Sequence, residues 1–125
     1  MARKNVLLVD DDDVFVSALT AILESRYRVR SASNGSEALQ KIREERPDLI
    51  VLDVMMDYLS EGFDVARKLR TDPATKSIPL IMLTGVDRMY DFRMEMDESW
   101  VPCDRYLEKP VSPDRLLAET KSLIG

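Results

Sequence analysis

The sequence predicts an α/β fold, an open parallel sheet with helices on both faces, and three observations carry that prediction. Three four-residue apolar runs, Val6–Val9, Leu49–Leu52 and Leu80–Leu83, each end on a polar residue: Asp10, Asp53 and Thr84. Continuous apolar runs of that length suit strands buried on both faces, as in a parallel sheet. The stretches between them carry helical spacing, and two weaker strand patterns complete a repeating strand–helix alternation. At 125 residues the chain is one domain's worth, spanning 1–125, with no repeat, low-complexity tract or linker.

The elements follow in order. After the first run, apolar residues at Val14, Ala18, Leu19, Ile22 and Leu23 predict the first helix, with Asp12 or Asp13 as its cap. Tyr27 to Arg30 alternates, as a half-exposed edge strand does. Asn34-Gly35-Ser36-Glu37 reads as a helix start, with Ala38, Leu39 and Ile42 on one face before Pro47. Phe63, Ala66, Leu69 and Arg70 predict a third helix after the strand that Asp53 ends. Arg105 to Leu107 is a short last strand, followed by Lys109-Pro110. Ser112 is an N-cap with Pro113 at the first helical position, and Leu116, Leu117, Thr120, Leu123 and Ile124 form the buried stripe of the last helix. The segment from Val86 to Asp104, with Met89, Phe92, Met94, Met96 and Trp100, shows no single clean face.

Composition narrows the chemistry. Apolar residues make up 45% and charged residues 33%, with a net charge of −5. That balance argues against binding nucleic acid or an anionic membrane through bulk charge. The single cysteine, Cys103, excludes an internal disulfide, and the absence of histidine excludes a Cys/His zinc site and a Ser-His-Asp triad. Cys103 reads as a small semi-buried residue, and the methionines as core or gap filler. The early apolar run Val6–Val9 is too short for a signal peptide or membrane span, which points to a cytoplasmic protein.

In an open α/β sheet, ligands sit beyond the carboxyl ends of the strands, where the strand order switches. Here Asp10, Asp11, Asp53, Thr84 and, after the last strand, Lys109 are expected at that edge. Three carboxylates there repel one another, each pair by roughly 4 kcal/mol at about 4 Å and an effective dielectric near 20. Such a site takes up a proton or binds a cation, and oxygen-only ligands favour Mg²⁺. A carboxylate beside a metal can attack phosphorus, a hydroxyl at Thr84 can donate to the transferred group, and Lys109 can offset its charge.

Four segments, Val6 to Asp13, Asp48 to Met56, Leu83 to Gly85 and Tyr106 to Pro110, resemble the signature segments of bacterial response-regulator receiver domains, in order and over nearly the whole chain. The resemblance implies a doubly wound, flavodoxin-like (βα)5 fold with five parallel strands in the order 2-1-3-4-5. It implies that Asp53 is the phosphoacceptor, filled from a histidine kinase or phosphotransfer protein. It also implies that Asp11 ligates Mg²⁺ directly, Asp10 through water and Met55 through its carbonyl. Thr84 and Tyr106 would be the switch pair, and Lys109 the phosphate-contacting lysine before a cis Lys109-Pro110 bond. A downstream protein partner would dock on the face of helix 4, strand 5 and helix 5, that is Val86 to Glu98, Arg105 to Leu107 and Ser112 to Ile124. Such a domain catalyses only its own phosphoryl uptake and loss. The sequence departs from the family in three places. Asp57 adds a carboxylate near the site, Thr84 and Lys109 stand 25 residues apart, more than is usual, and Trp100 to Cys103 replaces small residues.

One enzymatic alternative uses the same residues. Asp10-x-Asp12 after an apolar run also fits the first motif of haloacid-dehalogenase-type phosphatases, with Asp10 as nucleophile and Asp12 as acid/base. That reading gives Asp53 no role and lacks an acidic pair after Lys109.

Overall fold

The computed structural model describes residues 3–53, 59–85, 103–109 and 111–125. Met55, Asp57, the segment 86–98, Trp100 to Pro102 and Pro110 lie outside the described residues. The elements run β1 (Asn5–Val9), α1 (Asp13–Leu23), β2 (Arg28–Ala32), α2 (Gly35–Glu44), β3 (Leu49–Asp53), α3 (Leu59–Thr71), β4 (Leu80–Gly85), β5 (Arg105–Lys109) and α4 (Pro113–Ile124). All strand pairs are parallel, and the sheet order is β2-β1-β3-β4-β5, as the sequence and its resemblance predict.

The apolar runs are continuous because each strand feeds two cores. On one face, Leu7, Val9, Ile50, Leu52, Leu80 and Met82 meet α2 and α3 through Ala38, Ile42, Val65, Ala66 and Leu69. On the other face, Val6, Leu8, Leu49, Val51, Ile81 and Leu83 meet α1 and α4 through Leu19, Leu23 and Leu116. Successive side chains of a strand point to opposite faces, so a strand buried twice has no polar alternation. At about 25 cal/mol per Å² of apolar surface, each buried Leu, Ile or Val contributes about 1.5–3 kcal/mol.

Local chemistry sets the helix starts. Asp12 caps α1, its carboxylate accepting from the Val14 and Phe15 N–H groups at 3.0 and 3.2 Å. Asn34 caps α2 by accepting from Glu37 N–H at 2.9 Å, while the Glu37 carboxylate reaches back to the Ser33 N–H and hydroxyl. Ser112 caps α4 with Pro113 behind it. Each such cap stabilises its helix by about 1 kcal/mol.

Two expectations need correction. The buried face of α1 is Phe15, Val16, Leu19, Ile22 and Leu23, whereas Val14 is 81% exposed and Ala18 is exposed too. At 3.6 residues per turn Phe15, Val16, Leu19, Ile22 and Leu23 share one stripe, and burying that stripe turns Val14 and Ala18, one turn apart, away from the sheet. Lys109 ends β5 rather than following it, because the ladder with β4 continues through Thr84–Glu108 to Gly85–Lys109.

Candidate functional site at the carboxyl edge

The site begins with register. Val9 of β1 pairs with Leu52 of β3, so the next residues, Asp10 and Asp53, come level at the end of two adjacent strands. The chain passes from β1 outward to β2 and returns to β3 on the other side. The switch in strand order therefore falls between β1 and β3, where a crevice opens beyond the strand ends. Asp10 and Asp53 are buried, at 4% and 2% exposure, while Asp11 is exposed. One carboxylate oxygen from each of the three lies within 4.8 Å of the others.

The turn after β1 arranges these acids for different tasks. Asp10 N–H donates to Ala32 O at 3.0 Å, which ties the end of β1 to the end of β2. The Asp10 carboxylate accepts from Asp12 N–H at 2.9 Å and so braces the turn into α1. Asp12 is committed to the helix cap. Of the four consecutive aspartates, Asp10 and Asp11 are the two brought to Asp53.

An oxygen-only set at this spacing suits a hard divalent cation, whose charge compensates the crowding of three carboxylates. Across β3 and β4, Asp53 pairs with Leu83, so Thr84 stands one residue further along the edge, and Lys109 pairs with Gly85 beyond it. The backbone thus carries Thr84 and Lys109 to the acids' end of the sheet. Tyr106, two strands from Asp53, pairs with Met82 and is 39% exposed. A cavity of about 520 Å³ lies elsewhere, lined by Arg3, Glu24, Tyr27, Arg28 and Val29 near the amino end of β2, away from these acids.

A family model described as the response regulator receiver domain matches residues 6–121. The chain belongs to this family. It is a phosphorylation-activated signalling receiver of the two-component type. This receiver domain is 39% identical over 98% of its length to the alkaline phosphatase synthesis transcriptional regulatory protein PhoP of Bacillus subtilis, covering 49% of that protein. It is 33% identical to the polar-differentiation response regulator DivK of Brucella anthropi, covering 98% of this chain and 97% of that one. Among solved structures, the chemotaxis response regulator CheY4 of Vibrio cholerae superposes with a TM-score of 0.80 at 27% identity, over 98% and 99% of the two chains. The signal receiver domain of a histidine kinase from Syntrophus aciditrophicus gives 0.84 at 30% identity, over 97% of this chain and 89% of that one. The chain spans about half the length of the transcriptional regulators it matches.

Sequence reasoning found the acids and missed two residues that brace the same sheet from its other end, Asn5 and Asp104. Asn5 is 4% exposed, and its side chain and N–H engage Glu45, Arg46, Asp48 and Arg30. Nothing in its local pattern marks it, except that a polar residue opens an otherwise apolar strand. Among the described residues, no helix is long and apolar enough to cross a membrane.

Proposed function

We propose that Asp53 is the acceptor of the phosphoryl group, received from a phosphohistidine of a histidine kinase or phosphotransfer protein. The observation that carries this reading is the level register of Asp10 and Asp53, with Asp11 beside them, at the switch point of the sheet. An Asp53 oxygen forms a bond to phosphorus as the P–N bond of the donor breaks, and the imidazole leaves with the electron pair. Asp10, Asp11, Asp53 and the carbonyl of Met55 are the groups that would hold Mg²⁺. Bound there, the ion supplies positive charge against the carboxylates and the incoming phosphoryl oxygens. Thr84 donates to the transferred group and Lys109 offsets its charge. Hydrolysis returns the Asp53 carboxylate, so the domain, residues 1–125, catalyses only its own phosphorylation and dephosphorylation.

Thr84 and Tyr106 then act as the switch pair, and a downstream protein partner reads the face formed by 86–98, β5 and α4. Phosphorylation shifts this population only if the phosphoryl group favours one state. The net charge of −5 supports a protein partner rather than nucleic acid or a membrane for this domain, and the early apolar run Val6–Val9, too short for a signal peptide, supports a cytoplasmic location.

The test is intact mass after treatment with phosphoramidate and Mg²⁺. One phosphoryl group is expected on the wild type and none on Asp53→Asn, with Asp12→Asn unaffected. Loss of the adduct in Asp10→Asn, with Asp53→Asn retaining it, would favour the phosphatase alternative. In the same protein Asp11→Asn is expected to weaken Mg²⁺ binding about tenfold, or about 1.4 kcal/mol. Unchanged affinity would assign Asp11 to the helix start instead.

A further inference from the structure

We propose that Arg70 and Asp104 form a positioning pair that sets the height of β5, and with it Lys109 and Tyr106, against the Asp53 edge. The proposal rests on the phosphoacceptor reading above and adds two residues remote from the chemistry.

Asp104 immediately precedes β5 and holds Leu80, the first residue of β4, by both backbone groups. Its N–H donates to Leu80 O at 2.8 Å, and its carboxylate accepts from Leu80 N–H at 2.8 Å. The same carboxylate oxygen accepts from the Arg70 guanidinium at 2.6 Å. Arg70 lies in the last turn of α3, and its other terminal nitrogen donates to Lys76 O at 2.8 Å and Ile78 O at 3.0 Å. One guanidinium thus joins the end of α3, the approach to β4 and the start of β5. Its planar fork and fixed donors make it a geometric part, which a lysine cannot reproduce.

The consequence lies at the other end of these elements. Asp53 closes β3, α3 opens six residues later at Leu59, and the 13 residues of α3 end at the Arg70 contact. From Asp104, the five residues of β5 run back to Lys109 at the acid edge. Among the described residues, β5 is an edge strand with β4 as its one partner. Its lengthwise position therefore depends on the ladder to β4 and on what pins its first residues. A displacement of about 1 Å in a group that contacts a reacting centre can cost orders of magnitude in rate.

The experiment compares wild type, Arg70→Met, Asp104→Asn and the double variant in phosphoryl uptake from phosphoramidate, Mg²⁺ affinity and amide chemical shifts of Arg105 to Lys109. Asp104→Asn keeps an oxygen for Leu80 N–H and removes the charge that Arg70 uses, so it tests the pair even where Arg70→Met does not fold. Each single variant is expected to slow uptake about tenfold, with Mg²⁺ affinity unchanged and the β5 amides shifted. The double variant is expected to be no slower than the slower single one, because both remove the same link. Wild-type uptake rates in the folded variants, unmoved β5 amides, or a parallel fall in Mg²⁺ affinity would overturn the proposal. If the wild type takes up no phosphoryl group, the phosphoacceptor reading fails instead, and the pair's role in uptake falls with it.

Discussion

The two ends of strand β1 both bury polar side chains, and they balance them differently. At the amino end, Asn5 donates through its N–H to Asp48 at 2.8 Å and through its amide to Glu45 at 3.1 Å and Arg46 O at 3.3 Å. Its carbonyl accepts from Arg30, which also donates to Lys41 O and Glu45 O, and Arg28 pairs with Glu45. Donors and acceptors of both charges interlock there. At the carboxyl end, one residue beyond Val9, three groups of the same sign converge within 4.8 Å. The amino end is built to hold the sheet together. The carboxyl end gathers like charge, an oxygen-only set of the kind that suits a divalent cation, and the two apolar cores lie between the ends.

The sharpest way to break this comparison is to damage each end in turn. Asn5→Ala is expected to destabilise the protein by about 2–3 kcal/mol, because Glu45 and Arg30 lose buried partners; urea denaturation at neutral pH measures it. A loss no larger than a surface substitution gives would mean that the network is decoration. Asp53→Asn is expected to do the opposite. Without divalent ions it should raise stability by about 1 kcal/mol through relief of like-charge crowding, read as a higher thermal midpoint. Added salt should raise the wild type's midpoint more than the variant's. A lower midpoint in Asp53→Asn would mean that this carboxylate is structural, like those at the other end.

The smallest expected effect belongs to Glu37, an exposed acid bonded to Ser33 just past the end of β2. Its hydrogen bonds from Ser33, side chain first and then backbone, together with Lys41, hold its carboxyl below the ordinary carboxylate value. A lowered folded pKa adds stability that is present above the unfolded pKa and lost as pH falls through the folded one. Acid titration of stability should therefore show a slightly shallower loss in Glu37→Gln than in wild type below about pH 4.5. An identical acid limb would remove Glu37 from the account.

Much of this was legible in the sequence for a physical reason. Strands buried on both faces write uninterrupted apolar runs, and acids that end such runs stand out against them. That is why Asp10, Asp11 and Asp53 could be read before the fold was known. The face of α1 was less legible, because Val14 and Ala18 also fit a helical stripe and only packing selects the bulkier one through Phe15, Leu19 and Leu23. The bonds of Asn5, Arg70 and Asp104 were not legible, since each is a single polar residue whose partners are remote. Arg70 and Asp104 are separated by 34 residues, and Leu80 and Asp104 by 24. No local period records such a contact.

Cys103 sits beside Asp104, 7% exposed, and its burial pushes the thiol up to about 12. At pH 8 about one thiol in ten thousand is then ionised in the folded protein, against a quarter or so once the chain opens and the ordinary value near 8.5 returns. As the sole thiol in the chain, it is a chemical clock. Under slow alkylation, its labelling rate divided by that of the unfolded chain gives the fraction of time that the start of β5 spends open. The reading needs no added dye and disturbs neither the acids nor the strand that carries Lys109.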